Sequence, residues 1–445
     1  RVLLACAAAS FLTPFSSSSV AVILPRISAH YGVSLALSNW SVSSYLMALA
    51  ASILPFGGIA DWKGRGKVFL TGLMIMALSS ISVAFAPDFP SFIAVRAIQG
   101  VGSAMISATS VAVISQLFGR EERGKAIGIN TASVYIGLSL GPLLGGMISD
   151  LYSWIGIFVL SSLISLLAFA VAFPLLGLRS DGSAPKTINS VLYALSMISL
   201  TFGISKSTSF EGLLSSALAS LTLAFWLLIE FKSWGLVGPE LLRRRAYSSS
   251  TLAALLNYSS TYAISIILSN YLQKLRGFSA SQTGILLTIQ PVTQALLSPL
   301  AGHLADKRSP PLIASAGMIL IALGIATLYP LTPSKHLIEL ITSLIVLGVG
   351  FALFASPNTL AALNASPPEL YGSANSFLGS TRFLGQSISA AIMTSLMTSL
   401  DLQEAMNYAL LIYAAISSLG ALISITARFE EIPASGGRRL RGSSL

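Results

Sequence analysis

Long apolar runs alternate with short polar knots along this chain. Fourteen runs are long enough for a membrane helix: 2–25, 39–60, 68–86, 90–117, 125–149, 153–178, 187–205, 212–231, 248–272, 281–303, 311–329, 337–360, 371–398 and 405–427. A helix rises about 1.5 Å per residue, so about 20 apolar residues cross the hydrocarbon core of a bilayer. The pattern predicts an all-α polytopic membrane protein with fourteen transmembrane helices. The first run exceeds the roughly 7–15 residues of a signal-peptide core and reads as a span. Because the chain opens on Arg1 rather than Met, its native start is expected upstream or removed by processing. The longest connection is 232–247, and the polar tail 430–445 reads as disordered.

Composition agrees with the pattern. Of 445 residues, 54% are hydrophobic and 9% charged; soluble domains carry roughly 25% charged residues. The single cysteine, Cys6, excludes an intrachain disulfide and a cysteine-based metal site. A net charge of +10 could signal nucleic acid, but its distribution argues against that. With the N-terminus placed in the cytoplasm, the loops on that side and the tail hold eighteen Lys and Arg, among them Lys63, Arg65, Lys67, Arg123 and Lys307. The other face holds five: Arg26, Lys206, Lys274, Arg276 and Lys335. This inside-positive bias predicts a multi-pass protein of the cytoplasmic membrane with both termini cytoplasmic. It accounts for the charge without nucleic acid. The run at 243–245 anchors the inner side and is also placed to meet anionic lipid.

Two polar knots echo each other. GGIADWKGRGK at 57–67 and AGHLADKRSPP at 301–311 each put an acid after a glycine-bearing helix end and before bases. Asp61 and Asp306 follow spans 2 and 10; if six spans form a unit, these are the second spans of units beginning at spans 1 and 9, and spans 7 and 8 are an insert. The expected organisation is a six-helix bundle over 1–178, a two-helix insert and linker over 179–247, a second six-helix bundle over 248–429 and the tail 430–445. Such repeats are built into transporters. Gly57, Asp61, Gly64, Arg65 and Lys67, with Asp306 and Lys307 opposite, read as a cytoplasmic gate.

The loop at 57–67 resembles the signature loop of the major facilitator superfamily, although Trp62 stands where that family usually has a base. RAIQGVG at 96–102 resembles its fourth-span motif, and GLSLGPLLGG at 137–146 the fifth-span motif of its drug/proton antiporters. The stretches 270–306 and 371–387 resemble the corresponding regions of the fourteen-span drug:proton antiporters. The resemblance implies two bundles rocking about a central site, coupling through Arg96, Gln99 and Gly100, and a hinge at Gly137, Gly141, Pro142, Gly145 and Gly146. The hinge is also readable physically. Pro142 removes an N–H from the helix ladder, and glycines every four residues make one small face for close packing. A purely structural packing face remains the alternative.

Two charges fall inside spans. Arg96 lies about 9 Å from the outer end of span 4 and Arg382 about 16 Å from the inner end of span 13. An ionised side chain there faces a cavity or a partner; for each, a structural arginine bonded to backbone carbonyls is the alternative. No carboxylate falls at mid-depth. The fourteen-span antiporters commonly carry an Asp in span 1, and Ser16 occupies its place here. Neutral polar groups outline a candidate substrate cavity: Ser16, Tyr45, Asn130, Tyr135, Asn257, Tyr258, Tyr262, Gln290, Gln294, Asn375 and Gln386, with Arg382. Amides and phenols among aromatic walls suit an amphiphilic small molecule.

The expected function is secondary transport of small amphiphilic or drug-like molecules, as efflux by proton antiport. A proton-independent facilitator or uptake carrier of the same fold is the alternative, given the missing carboxylates. Neither convergent nucleophiles nor paired acids in the spans point to an enzyme, and no GxxxxGK[ST] points to ATP. A non-transporting sensor is a remote alternative. No cofactor or metal is expected; the partners expected are substrate, lipid and protons, with the protein a monomer.

Overall fold

The computed structural model describes residues 1–178, 187–232, 236–367 and 370–427. Among them the chain is helical, without a strand. Fourteen long helices follow one another: α1 (Val2–Tyr31), α2 (Leu35–Lys63), α3 (Arg65–Phe85), α4 (Phe89–Leu117), α5 (Arg120–Leu151), α6 (Gly156–Gly177), α7 (Thr187–Ser205), α8 (Phe210–Lys232), α9 (Arg245–Leu275), α10 (Ala280–Lys307), α11 (Pro310–Leu328), α12 (Leu337–Asn364), α13 (Tyr371–Ser399) and α14 (Leu402–Thr426). Thirteen are long and apolar enough to cross a membrane. The fourteenth, α13, has 29 residues but carries Asn375, Arg382 and Gln386 among serines and glycines. The tail 430–445 and the bases Arg179, Lys186 and Arg428 lie outside the described residues.

Several helices overrun their apolar stretches. α1 continues six residues beyond 25 and stops at Gly32, whose φ of 63° ends it in the left-handed region. Asp88 caps α4 by accepting from the Ser91 amide at 2.9 Å. Ser279 and Gln282 form a reciprocal capping box on α10, and Asp401 caps α14. Caps, not the end of hydrophobicity, set these boundaries.

α9 is broken where the sequence carries neither Gly nor Pro. Its regular helix covers Arg245–Thr261 and resumes at Ile264. Ser260 and Thr261 both donate their hydroxyls to the Asn257 carbonyl, at 2.8 and 2.7 Å. That back-bonding competes with the helix ladder. The amide of Ala263 then donates to Ser389 Oγ of α13, at 3.0 Å. A neighbouring helix thus satisfies the break, as membrane interiors require.

Packing follows the two halves of the chain. α1 packs on α5 and α6, α2 and α3 on α4, and α3 on α6. Later in the chain α9 packs on α13 and α14, α10 and α11 on α12, and α11 on α14. The halves meet along two seams, α5 against α10 and α2 against α13. α7 and α8 form a hairpin, with α7 laid on α2 and α13. The outer stripe of α8 (Leu214, Leu218, Leu221, Phe225, Leu228) is exposed at helical spacing, as a lipid-facing surface would be.

Glu230, at the end of α8, is fully buried. Its carboxylate accepts from the amides of Leu236, Val237 and Gly238 and from Asn189 Nδ2, at 2.6–3.1 Å. A buried charge surrounded by donors is tolerated, and this one ties the linker to α7 and α8.

Candidate transport cavity and gates

A cavity lies between the halves. Ser18 of α1 and Leu138 and Pro142 of α5 form one wall. Tyr258, Thr261, Tyr262 and Ser265 from the broken stretch of α9 face them, beside Gln290 of α10, Phe351 of α12 and Gln386 of α13. The wall is mostly apolar, with phenols, hydroxyls and two amides. The Gln386 Oε1 is buried without a hydrogen-bond partner, an acceptor available to a ligand. Tyr258 meets Phe351 edge to face at 6.0 Å.

Of the residues expected in the cavity, Tyr258, Tyr262, Gln290 and Gln386 line it. Gln294 is buried beside Gln290. Asn130 accepts from Ser10 at 2.8 Å between α1 and α5. Asn257 is fully buried, with both amide atoms unpartnered, one position before the lining residue Tyr258. Asn375 and Tyr135 are half-buried outside the lining. Ser18, Thr261 and Ser265 line the cavity and are absent from the expected set. The run SSSS at 16–19 was the available signal, because consecutive serines in a helix put hydroxyls on every face.

Arg96 is fully buried. Its Nε donates to the Ser41 carbonyl at 2.8 Å, Nη1 to Gln99 Oε1 at 2.6 Å, and Nη2 to the Ser16 carbonyl at 3.5 Å. Its guanidinium stands 4.4 Å from the Tyr45 ring centroid. Gln99 in turn donates to Ser80 Oγ, and the Tyr45 hydroxyl bonds Ser103 and the Thr13 carbonyl. A side chain at Gly100 would collide with the Tyr45 carbonyl. The fourth-span motif therefore builds a polar knot among α1, α2, α3 and α4, with Ser16 and Tyr45 in it. The Ser16 hydroxyl is left without a partner.

Most Lys and Arg of the short connections follow even-numbered helices and so share one end of the bundle, here the basic face. At the opposite face the two halves are sealed. The Asp150 carboxylate, at the end of α5, accepts from Arg26 of α1 and from the Ser281 amide in the first turn of α10, the latter at 2.7 Å. Arg26 also donates to the Ser149 carbonyl. Below this, Thr288 bonds the Ser139 carbonyl at 3.2 Å, and Gln273 the Val22 carbonyl at 2.7 Å. The glycines of the fifth-span motif split between two partners. Gly137, Gly141 and Gly145 press on Phe11, Ser18 and Ser19 of α1. Gly146 presses on Ala280, and Pro142 on Gly284, both of α10. Toward the basic face α5 loses this cover, and Gly128, Ile129, Thr131 and Ala132 are exposed in near succession.

On the basic face Arg65, opening α3, pairs at 2.9 Å with Asp61 in the last turn of α2. Gly64 has a φ of 107°, which favours glycine. A side chain at Gly66 would strike the Leu175 carbonyl at the end of α6, whereas Gly57 borders open space. Lys67, Asp306 and Lys307 are exposed.

A bundle of membrane-length helices meeting around a cavity, sealed at one face and loosened at the other, is the build of a carrier. The family model described as Major Facilitator Superfamily matches residues 6–237 and 250–443, and the chain belongs to that superfamily of transporters. It is 26% identical to the riboflavin transporter RibZ of Clostridioides difficile, over 86% of this chain and 85% of that one. It is 26% identical to the multidrug resistance protein Stp of Mycobacterium tuberculosis, over 85% and 72%. It is 28% identical to the cephamycin export protein CmcT of Amycolatopsis lactamdurans, over 88% and 83%. A crystal structure of the peptide transporter POT in complex with sulfate shares the fold with a TM-score of 0.73 at 17% identity, covering 96% of this chain and 93% of that one.

Proposed function

We propose that the protein exports small amphiphilic, ring-bearing molecules across the cytoplasmic membrane by alternating access. The basic face and both termini lie in the cytoplasm, and proton antiport drives the cycle. One observation carries the reading: the cavity adjoins the α5–α10 seal, since Pro142 both lines it and packs on Gly284 of α10. Its aromatic and amide lining suits flat amphiphiles. Relatives named as riboflavin, multidrug and cephamycin transporters support a small-molecule cargo. The Asp61 loop and the Asp306 loop are the gate that closes the cytoplasmic side when the seal opens, and Arg96 couples the two movements through α1 and α2. The protein works as a monomer.

A second reading has one observation in its favour. No carboxylate lines the cavity, and the charges inside the described helices at depth are Arg96 and Arg382. A proton carrier ordinarily titrates inside the membrane, so facilitated diffusion without protons competes with antiport. Proteoliposomes loaded with a neutral fluorescent heterocycle such as riboflavin, or with a lipophilic cationic dye, test both. Dye flux and internal pH are followed together under an imposed pH gradient. Flux that follows the gradient and moves protons is expected. Flux indifferent to it supports the facilitator. No flux of either dye defeats the transport of amphiphiles.

A further inference from the structure

The cavity is neutral at its surface, but its surroundings are not. Arg382 sits one helical turn from the lining residue Gln386, at i and i+4 on the same face of α13. It is half-buried, and its hydrogen bond runs from Nη2 to Thr359 Oγ1 at 2.6 Å. A guanidinium has five donors, so Arg382 retains several for another partner. On the other side Arg96 donates to the Ser16 carbonyl, while Tyr262, which lines the cavity, donates to the next carbonyl along α1, that of Ser17. Arg382 is therefore one helical turn from a lining residue, and Arg96 one backbone carbonyl from the partner of another.

Nothing opposes them there. Among the described residues, the carboxylates with most burial are both tied down elsewhere. Asp150 is held by Arg26 and the Ser281 amide of α10 at the sealed face, and Glu230 by three amides and Asn189 at the end of α8. Field lines from Arg96 and Arg382 pass through low-dielectric protein, where charges act over longer distances than in water. A cation entering the cavity is repelled by both. An anion is attracted, and it meets the Tyr258 hydroxyl on the wall, with the Arg382 charge behind it one helical turn from Gln386.

We infer that the cavity selects amphiphiles bearing delocalised negative charge, such as an aromatic carboxylate or an ionised imide, over lipophilic cations of the same shape. The inference rests on the transport reading above and names its substrate class. Rings stack on Tyr258 and Phe351, while the anionic edge turns toward Arg382. Arg96, saturated by Ser41, Gln99 and Ser16, contributes its field and not a bond.

Tetraphenylborate and tetraphenylphosphonium test this, since they share one shape and differ in sign of charge. Binding to the full-length protein in lipid nanodiscs is measured for each ion, with empty nanodiscs subtracted. The borate is expected to bind roughly tenfold tighter or more. Arg382→Gln should cut that preference to about threefold or less, while Arg382→Lys, which keeps the charge, should retain it. Equal or tighter phosphonium binding overturns the inference, as does a borate preference that Arg382→Gln leaves unchanged. If neither ion binds while riboflavin flux persists, the charge selection fails and the exporter reading stands. If riboflavin and cationic-dye flux are absent too, both fall.

Discussion

Asp150 accepts from Arg26 on one side and from the first turn of α10 on the other, so one carboxylate joins three helices. A carboxylate is favoured at a helix N-terminus by the unpaired amides and the helix dipole. Arg26 and Asp150 keep 38% and 19% of their side-chain surface in solvent, so screening reduces the pair to about 1 kcal/mol. Asp150→Asn retains an acceptor for the Ser281 amide but leaves Arg26 without its charge partner. The seal should then open roughly five-fold more often, since about 1.4 kcal/mol is a factor of ten. A cysteine placed at Ser265, in a Cys6→Ala background, reads this out through an impermeant maleimide added from the sealed face. An unchanged labelling rate would remove Asp150 from the seal. The sequence marks Asp150 as an acid at a span end, but its receptor is a helix start more than a hundred residues away, and no local pattern announces that. Asp61 makes the contrast. Its exposed i, i+4 pair with Arg65 is worth about 0.5 kcal/mol or less. Asp61→Asn should slow transport, as the proposed cytoplasmic gate requires. Wild-type turnover by this variant would sink its gate role.

Helices were readable from the sequence because each needs only a run of about 20 apolar residues. The glycine rows were readable too, because a period of four places them on one face. What the rows touch was not. Gly141 meets Ser18 on α1, while Gly146, five residues on, meets Ala280 on α10. Gly141→Leu should therefore separate α1 from α5 and cut transport below roughly a tenth of wild type, by overpacking of about 1–3 kcal/mol or more. Transport at the normal rate would leave that face without a part in the cycle. Gly57, bordering open space inside α2, should behave differently: Gly57→Ala is expected to raise stability by about 0.5–1 kcal/mol through helix propensity. The break in α9 lay beyond sequence reading altogether. Ser and Thr back-bond in many intact helices, and only the arrival of Ser389 from α13 makes this break tolerable. Ser389→Ala leaves the Ala263 amide unsatisfied and should cost about 1–3 kcal/mol, measured as a lower unfolding temperature in detergent.

At the scale of the molecule, the two knots that echo each other at 57–67 and 301–311 were visible as a repeat, but the state of the gates was not. A sequence fixes which contacts are available, and a carrier must be able to make them in turn. Here the contacts across the halves gather at one face: Asp150 with α10, Gln273 and Ser269 with Val22, and Thr288 with Ser139. At the basic face, among the described residues, Asp61 pairs with Arg65 across Gly64, and Asp306 and Lys307 stand exposed. Alternating access requires this asymmetry to reverse, with α5 parting from α10 along the row of small residues. The seam can be locked. Cysteines at Ser139 and Thr288 in the Cys6→Ala background should join on oxidation, since Thr288 Oγ1 lies 3.2 Å from the Ser139 carbonyl. The joined protein should lose transport by roughly tenfold or more, as expected when a conformational step is blocked, and recover it on reduction. If the bridge forms and transport continues, the seal described here never opens in the working cycle, and substrate must leave by a path other than the α5–α10 seam.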